Sequence, residues 1–461
     1  MEVTWKLRPN VRWHDGAPFS ADDLTFTLDV VRDPDLAVLR DRTYEAIEGL
    51  DVPDARTVVV RWSRPYIEAD QLFSSVFSDL AVPMPRHLLE RAFRDDPASF
   101  LDLPYWNAEF VGTGPFKVRE WERGSYITLD ANDDYTLGRP KLDEIEVRFI
   151  TDDNTLIANI LSGQVALTLG RGPSIEQALQ VQEQWRDGRA DFQALDSWLL
   201  LYPQFLNPTP PIVADPQFRR ALISAIDRQQ LVDSIEAGQT VVAPSPISPH
   251  YAGYTDIDPS IVKYPYDPQR AAQMLEGLGL TRDSAGMLRD AAGQRLSVGI
   301  QVTTVLDVQP KSAYPVADFW QRVGVGVDID VVPPQRGQDL RYRAEFPSFA
   351  LQRQPVNERM LIRIDGSQAR TPERGYTGIN NARYVNPDVD ALLARVETTI
   401  PVRERNAAIA QLVHRITDEQ IWMGLFFDTE PALIANSLAN VTAKHDESRE
   451  TWNAHLWDVK S

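Results

Sequence analysis

The chain has 461 residues, of which 66 are acidic and 47 basic, giving a formal net charge of −19. That sign opposes binding to nucleic-acid phosphates, which needs a basic surface. Cysteine is absent, which removes disulfides, thiol nucleophiles, iron–sulfur clusters, zinc–thiolate sites and any lipid-anchoring cysteine.

The 43% apolar and 25% charged composition is ordinary for globular proteins and argues against wholesale disorder. The length suits about two to three domains around a large core. No apolar run approaches the roughly 18 residues that a membrane span requires. The opening Met-Glu-Val-Thr-Trp-Lys shows neither a basic n-region nor an apolar h-region, so no signal peptide is visible.

The first pattern is "WKLRPNVRWHDGAPFSADDLTFTLDVV". Trp5, Leu7, Val11 and Trp13 alternate with Lys6, Arg8 and Arg12, which predicts a half-buried strand. His14-Asp15-Gly16 is turn chemistry, and its His-Asp pair reads as serving the backbone rather than catalysis. Ser20 is placed as an N-cap, with Asp22 and Asp23 in the first turn and Leu24, Leu28 and Val31 at helical spacing. A strand so early needs a partner from later in the chain.

Further along, Thr57 to Trp62 and Glu144 to Phe149 read as strands, and "VGTGPFKVREW" as a Gly-rich turn leading into one. Thr155 to Leu161 reads as a short helix. Asp215-Pro216, Asp267-Pro268 and Asn386-Pro387 each place a capping side chain before a proline at the first helical position. The first of these opens a stripe of Phe218, Ala221, Leu222, Ala225 and Val232 that runs to Gly238. Another helix is predicted from Val402 to Asp418. Pro203 to Pro216 and Ala243 to Pro265 are candidate linkers or exposed loops. Pro333 to Arg374 is the least regular part and carries eight arginines. Helices and strands interleaved in this way predict an α/β chain with mixed sheets.

A search for catalytic chemistry returns little. The six histidines are scattered, and HExxH, GxSxG and Walker motifs are absent. "GTGP" lacks the third glycine of a dinucleotide loop and opens a strand. Acidic pairs such as Asp133-Asp134 and Asp152-Asp153 read as solvated caps. Binding is favoured over catalysis, with no cofactor and no metal ligand set.

Four segments, in order, resemble the substrate-binding proteins of ABC importers, the oligopeptide/dipeptide/nickel group, solute-binding protein family 5. They are the opening segment, the stretch from "VGTGPFKVREW" to "ILSGQVAL", "ADPQFRRALISAIDRQQLVDSIEAGQ" and "YVNPDVDALLARVETT". The resemblance implies a two-lobed periplasmic-binding-protein fold that closes over a ligand like a flytrap, with an extra subdomain on the first lobe. It implies the extra subdomain over 1–110, lobe one over 111–238, lobe two over 239–426 and a return to lobe one over 427–461, with Gly238 and Phe427 at the hinge. It also implies an export signal and further strands ahead of Trp5, so that this chain is expected to be an N-terminally shortened form of a periplasmic or cell-surface protein.

Peptide binders of the group hold the peptide's amino terminus with an acidic residue in a W-x-x-D-Y-like stretch. The corresponding "EFPSFALQRQPVNERM" has no aspartate, and "GQVAL" has Ala166 where the group often has aspartate. The resemblance therefore implies an uncharged or anionic ligand, met by Phe349, Gln352 and Arg353 on this stretch. Trp198, Tyr202, Gln204 and Asn207 of "WLLLYPQFLN" would face it from the neighbouring strand. Arg353 would be a bidentate anchor, unless it only offsets nearby acids.

The expected function is capture of a peptide-like or other small ligand by a monomer and its delivery to an ABC permease, with no nucleic-acid partner. The alternatives are a leaderless ligand-sensing module of the same fold and a carboxylate-dependent hydrolase.

Overall fold

The computed structural model describes residues 1–39, 41–74, 81–170, 172–442 and 451–460. The chain folds into two compact units, one of Met1–Asp191 with Pro431–Ser461 and one of Phe192–Glu430.

The first unit opens with β1 (Glu2–Lys6), α1 (Ala21–Arg32), β2 (Ile47–Asp54), β3 (Thr57–Trp62) and α2 (Arg86–Asp95). The early strand finds its partner in β3, with Val3 opposite Val60 and Trp5 opposite Val58, in an antiparallel sheet ordered β1-β3-β2. It is shorter than its alternation predicts and ends at Lys6. Pro9 lacks an amide donor and Asn10 sits at φ +63°, so the chain turns away before Trp13. Asp23 accepts from the Ser20 amide at 2.9 Å, the Trp13 indole at 3.3 Å and the Arg86 amide at 3.0 Å, tying both helix starts together.

The second sheet of this unit comprises β4 (Phe116–Glu122), β5 (Tyr126–Ala131) and β6 (Glu144–Arg148), all antiparallel. The His-Asp-Gly turn serves the backbone as expected. His14 Nδ1 accepts from the Gly112 amide at 3.1 Å and its Nε2 meets the Gly114 carbonyl at 3.1 Å, while Asp15 accepts from the Ala17 amide at 3.0 Å. The "GTGP" turn is thus clamped by His14 ahead of β4. Two helices follow, α3 (Asp153–Leu161) and α4 (Ile175–Gln184).

Strand β7 (Gly188–Pro203) carries the chain into the second unit. There α5 (Pro216–Ser224), α6 (Arg228–Ile235), α7 (Tyr254–Ile257) and α8 (Pro268–Gly277) precede a small hairpin of β8 (Thr281–Arg282) and β9 (Leu288–Arg289). Next come β10 (Ser297–Val302), α9 (Val308–Arg322), β11 (Gly326–Val331), α10 (Leu340–Ala344) and β12 (Phe349–Pro355). Helices α11 (Pro387–Thr398) and α12 (Val402–Asp418) lead to β13 (Met423–Ala435), which returns the chain to the first unit, where β14 (Leu438–Ala439) pairs with β15 (Asp458–Val459). The central sheet is mixed and ordered β11-β10-β12-β7-β13, with β10 parallel to β11 and β12, and β7 antiparallel to β12.

Both faces of this sheet are covered. On one, Leu199, Leu201, Val298, Ile300, Phe349 and Leu351 pack with Phe218, Leu222, Leu275 and Trp320 from the α5, α8 and α9 side. On the other, Trp198, Leu200, Tyr202 and Ala350 pack with Leu393, Ile409, Leu412 and Trp422. All three Asx-Pro devices are realised, with Asp215 accepting from the Gln217 amide, Asp267 from that of Arg270, and Asn386 from those of Asp388 and Val389.

One expectation is corrected. The stripe from Phe218 to Val232 is two helices, because Asp227 caps a second one by accepting from the Gln230 amide. Residues 192–238 lie in the second unit, where β7 pairs with β12. The chain passes between the two units at 191/192 and 430/431, and Gly238 and Phe427 both lie within the second unit, Phe427 wholly buried in its core. Both candidate linkers lie within that unit.

Candidate ligand-binding site

The parallel strands β10, β11 and β12 end together at one edge of the second unit's sheet, the place where open α/β sheets bind ligands. At that edge β12 reads Gln352-Arg353-Gln354. Its period-two alternation sends Gln352 and Gln354 to one face and Arg353 to the other. In register, Gln352 opposes Leu200, Arg353 opposes Leu199 and Gln354 opposes Trp198.

Arg353 is occupied. Its Nε donates to Asp428 and its Nη2 to Glu430, two carboxylates of β13, and its side chain is only 15% exposed. Behind them sits Glu236, 1% exposed, just past the end of α6, where it accepts from the Thr429 amide at 3.2 Å. Burial first, and the adjacent Asp428 charge second, push the Glu236 carboxyl up to about 8, so it keeps its proton at neutral pH. Burial also raises Asp428, against the pull of Arg353. Burial works against the Arg353 charge, but its two carboxylates outweigh it and hold the guanidinium above its ordinary value. Both edges of the Arg353 guanidinium thus meet internal partners.

On the opposite face is a cluster of amides. Gln352 Oε1 accepts from Asn381 Nδ2 at 2.8 Å and from Gln354 Nε2 at 3.1 Å. Asn381 Oδ1 and the Tyr202 hydroxyl are buried without a hydrogen-bond partner, as is the Trp198 indole nitrogen. Such orphans are rare in folded proteins.

The remaining expected residues are placed as follows. Trp198 and Tyr202 are wholly buried, each meeting Trp422 edge to face at 6.3 Å. Gln204 donates its amide to the Ala344 and Phe346 carbonyls, both at 3.0 Å, and so fixes the approach to β12. Phe349 packs 5.0 Å from Trp320 in the helix-covered core, and Asn207 occupies an exposed turn at φ +57°. Gln352 and Arg353 alone of the seven meet at the carboxyl edge while half-buried. Because helices cover both faces of β7, the alternation that marks a one-sided strand leaves neither face free.

Asp428, Glu430 and Glu236 went unnoticed in the sequence. The signal was present in "FFDTE", where two acids at period two interrupt an apolar strand, as ligand-facing or paired residues do.

The family description "Bacterial extracellular solute-binding proteins, family 5 Middle" matches residues 1–358. The chain belongs to solute-binding protein family 5. Relatives of this family 5 protein include the oligopeptide-binding protein AppA of Bacillus subtilis, 24% identical over 98% of this chain and 80% of that protein. The glutathione-binding protein GsiB of Pectobacterium atrosepticum is 26% identical over 95% and 79%. The fold matches solved structures, among them AppA of Bacillus subtilis with a nonapeptide (TM-score 0.78, 22% identity, 100% of this chain and 87% of that one) and NikZ of Campylobacter jejuni with Ni(L-His) (0.80, 20%, 100% and 88%). It also matches a periplasmic EDTA-binding protein, EppA (0.82, 18%, 100% and 85%). Like these relatives, the family 5 chain reads as a binding protein of two-lobed fold. Among its described residues no helix is long and apolar enough to cross a membrane.

Proposed function

We propose that this protein captures a small solute outside the cytoplasm and delivers it to an ABC permease in the membrane, working as a monomer without chemical change to the solute. The observation that carries this reading is the family match over residues 1–358, joined to a fold match across the whole chain. The second unit's carboxyl edge, with Gln352, Gln354 and Asn381, is the part of that unit we assign to the solute. Arg353 there holds β12 to β13 and screens two carboxylates.

The missing β12 aspartate argues against holding a peptide's amino terminus in the group's usual way. Relatives named for oligopeptide and glutathione, structures holding a nonapeptide or Ni(L-His), and one of a protein named for EDTA binding span a wide range of solutes. A thermal-shift screen over peptides, sugars, metal chelates and organic anions tests the reading, because a ligand bound by the folded state raises its stability by mass action. A solute that raises the melting temperature and is recovered unchanged supports it. Turnover of that solute overturns it in favour of a hydrolase.

A further inference from the structure

Six of the eight arginines between Pro333 and Arg374 fall into two groups. Arg336 pairs with Asp339 at 3.0 Å, Arg341 with Glu345 at 2.8 Å, and Arg353 with Asp428 and Glu430. Arg343, Arg363 and Arg370 are half-buried, and none has a carboxylate partner among the described residues. Arg370 donates to the Gly378 carbonyl at 2.9 Å and Arg343 to that of Gly337 at 3.4 Å, while Arg363 has no hydrogen bond among the described residues. Burial, with the like charges of Arg343 and Arg363, pushes the Arg370 guanidinium down to about 10.

The Tyr202 hydroxyl, wholly buried, meets no side chain but that of Asn381 among its polar neighbours and lies in the field of Arg363 and Arg370. In a chain of net charge −19, three mutually repelling guanidiniums that find no acid are unusual. Like charges gathered out of water are unfavourable until an opposite charge joins them. Guanidinium forks suit carboxylate and phosphate oxygens, and a phenol adds one more donor.

We propose that Arg343, Arg363 and Arg370, with the Tyr202 hydroxyl, bind an oxyanion group, carboxylate or phosphate, of the captured solute. This deepens the solute-binding reading and rests on it. The experiment measures binding by calorimetry and thermal shift with citrate, inorganic phosphate, maltose and an N-acetylated, amidated dipeptide. Wild type is compared with Arg363→Gln/Arg370→Gln, with Tyr202→Phe and with Arg341→Gln as a surface control.

The expected result is that citrate, phosphate or both raise the melting temperature of wild type and of Arg341→Gln. Affinity should fall at least tenfold in the double variant and several-fold in Tyr202→Phe, whose ligand-free stability is unchanged. Preference for citrate assigns a carboxylate, and preference for phosphate a phosphate. Equal anion affinity in the wild type and both site variants overturns the site. Binding of the dipeptide or maltose with no anion bound overturns the site and leaves the solute-binding reading standing. No binding by any probe class counts against both.

Discussion

On one face of the second unit's sheet, Phe349 and Leu351 of β12 lie with Leu199 and Leu201 of β7 under α5, α8 and α9, and every one is closed off from water. On the other face the same two strands begin alike, with Ala350, Leu200 and Tyr202, but toward the carboxyl edge they give way to Gln352, Gln354 and Asn381. The first face ends in a closed ion-pair cluster around Arg353, the second in amides and a phenol with unused hydrogen-bonding capacity. The contrast teaches where the strand invests in stability and where in recognition. A satisfied polar cluster holds strands together, whereas an unsatisfied one awaits a guest.

Substitutions should separate the two faces. The largest loss is expected from Phe349→Ala, which opens a cavity against Trp320 and should lower unfolding free energy by about 3–5 kcal/mol in denaturant titration. A loss below about 1 kcal/mol would show that Phe349 is not core. Arg353→Ala leaves Asp428 buried without its cation and should cost about 3 kcal/mol. Arg353→Leu combined with Asp428→Leu should recover much of that loss, and equal destabilisation of the two variants would break the account of the pair.

Glu236 supplies a pH test. Its carboxyl rises from an ordinary 4.5 to about 8 on folding, so the folded state binds the extra proton between those values. Its contribution is therefore fully present below about pH 4.5 and is lost as pH rises through about 8. Glu236→Gln should flatten the melting temperature's fall over that window and exceed wild type above pH 8, and parallel profiles would show that the buried carboxyl does not titrate there. On the recognition face, Gln352→Ala should change stability by less than about 1 kcal/mol, since its partners are other amides. It should still weaken solute affinity in calorimetry.

Much of this was legible in the sequence where one local rule decides. The Asx-Pro starts of α5, α8 and α11, the 402–418 helix and the 57–62 strand needed only capping chemistry and periodicity. The His14-Asp15 turn was read correctly because short polar side chains beside glycine bond to the backbone wherever the chain reverses.

What escaped depended on distant partners. Asp227 splits the α5–α6 stripe without breaking its period, so the join was invisible. Strand β7 carries aromatics of the kind a binding strand shows, but the residues they pack against, on α12 and around Trp422, come from much later in the chain. The acids that claim Arg353 lie 75 and 77 positions later in the chain, and no local pattern joins them. The same distance hid the difference between paired and unpaired arginines, which only the folded chain sorts.

Arg219 donates its guanidinium to the carbonyls of Val213, Glu419 and Gln420, the last 201 positions away, and β13 completes the central sheet only a few residues later. The first unit likewise takes in residues 431–461. During synthesis, then, neither unit has all its pieces until β13 and the residues after it have been made, and the growing polypeptide must wait with its central sheet lacking an edge. Loops that long also make closure slow. A chain stopped after Gln420 should therefore show no cooperative melt, however much of its helix content survives.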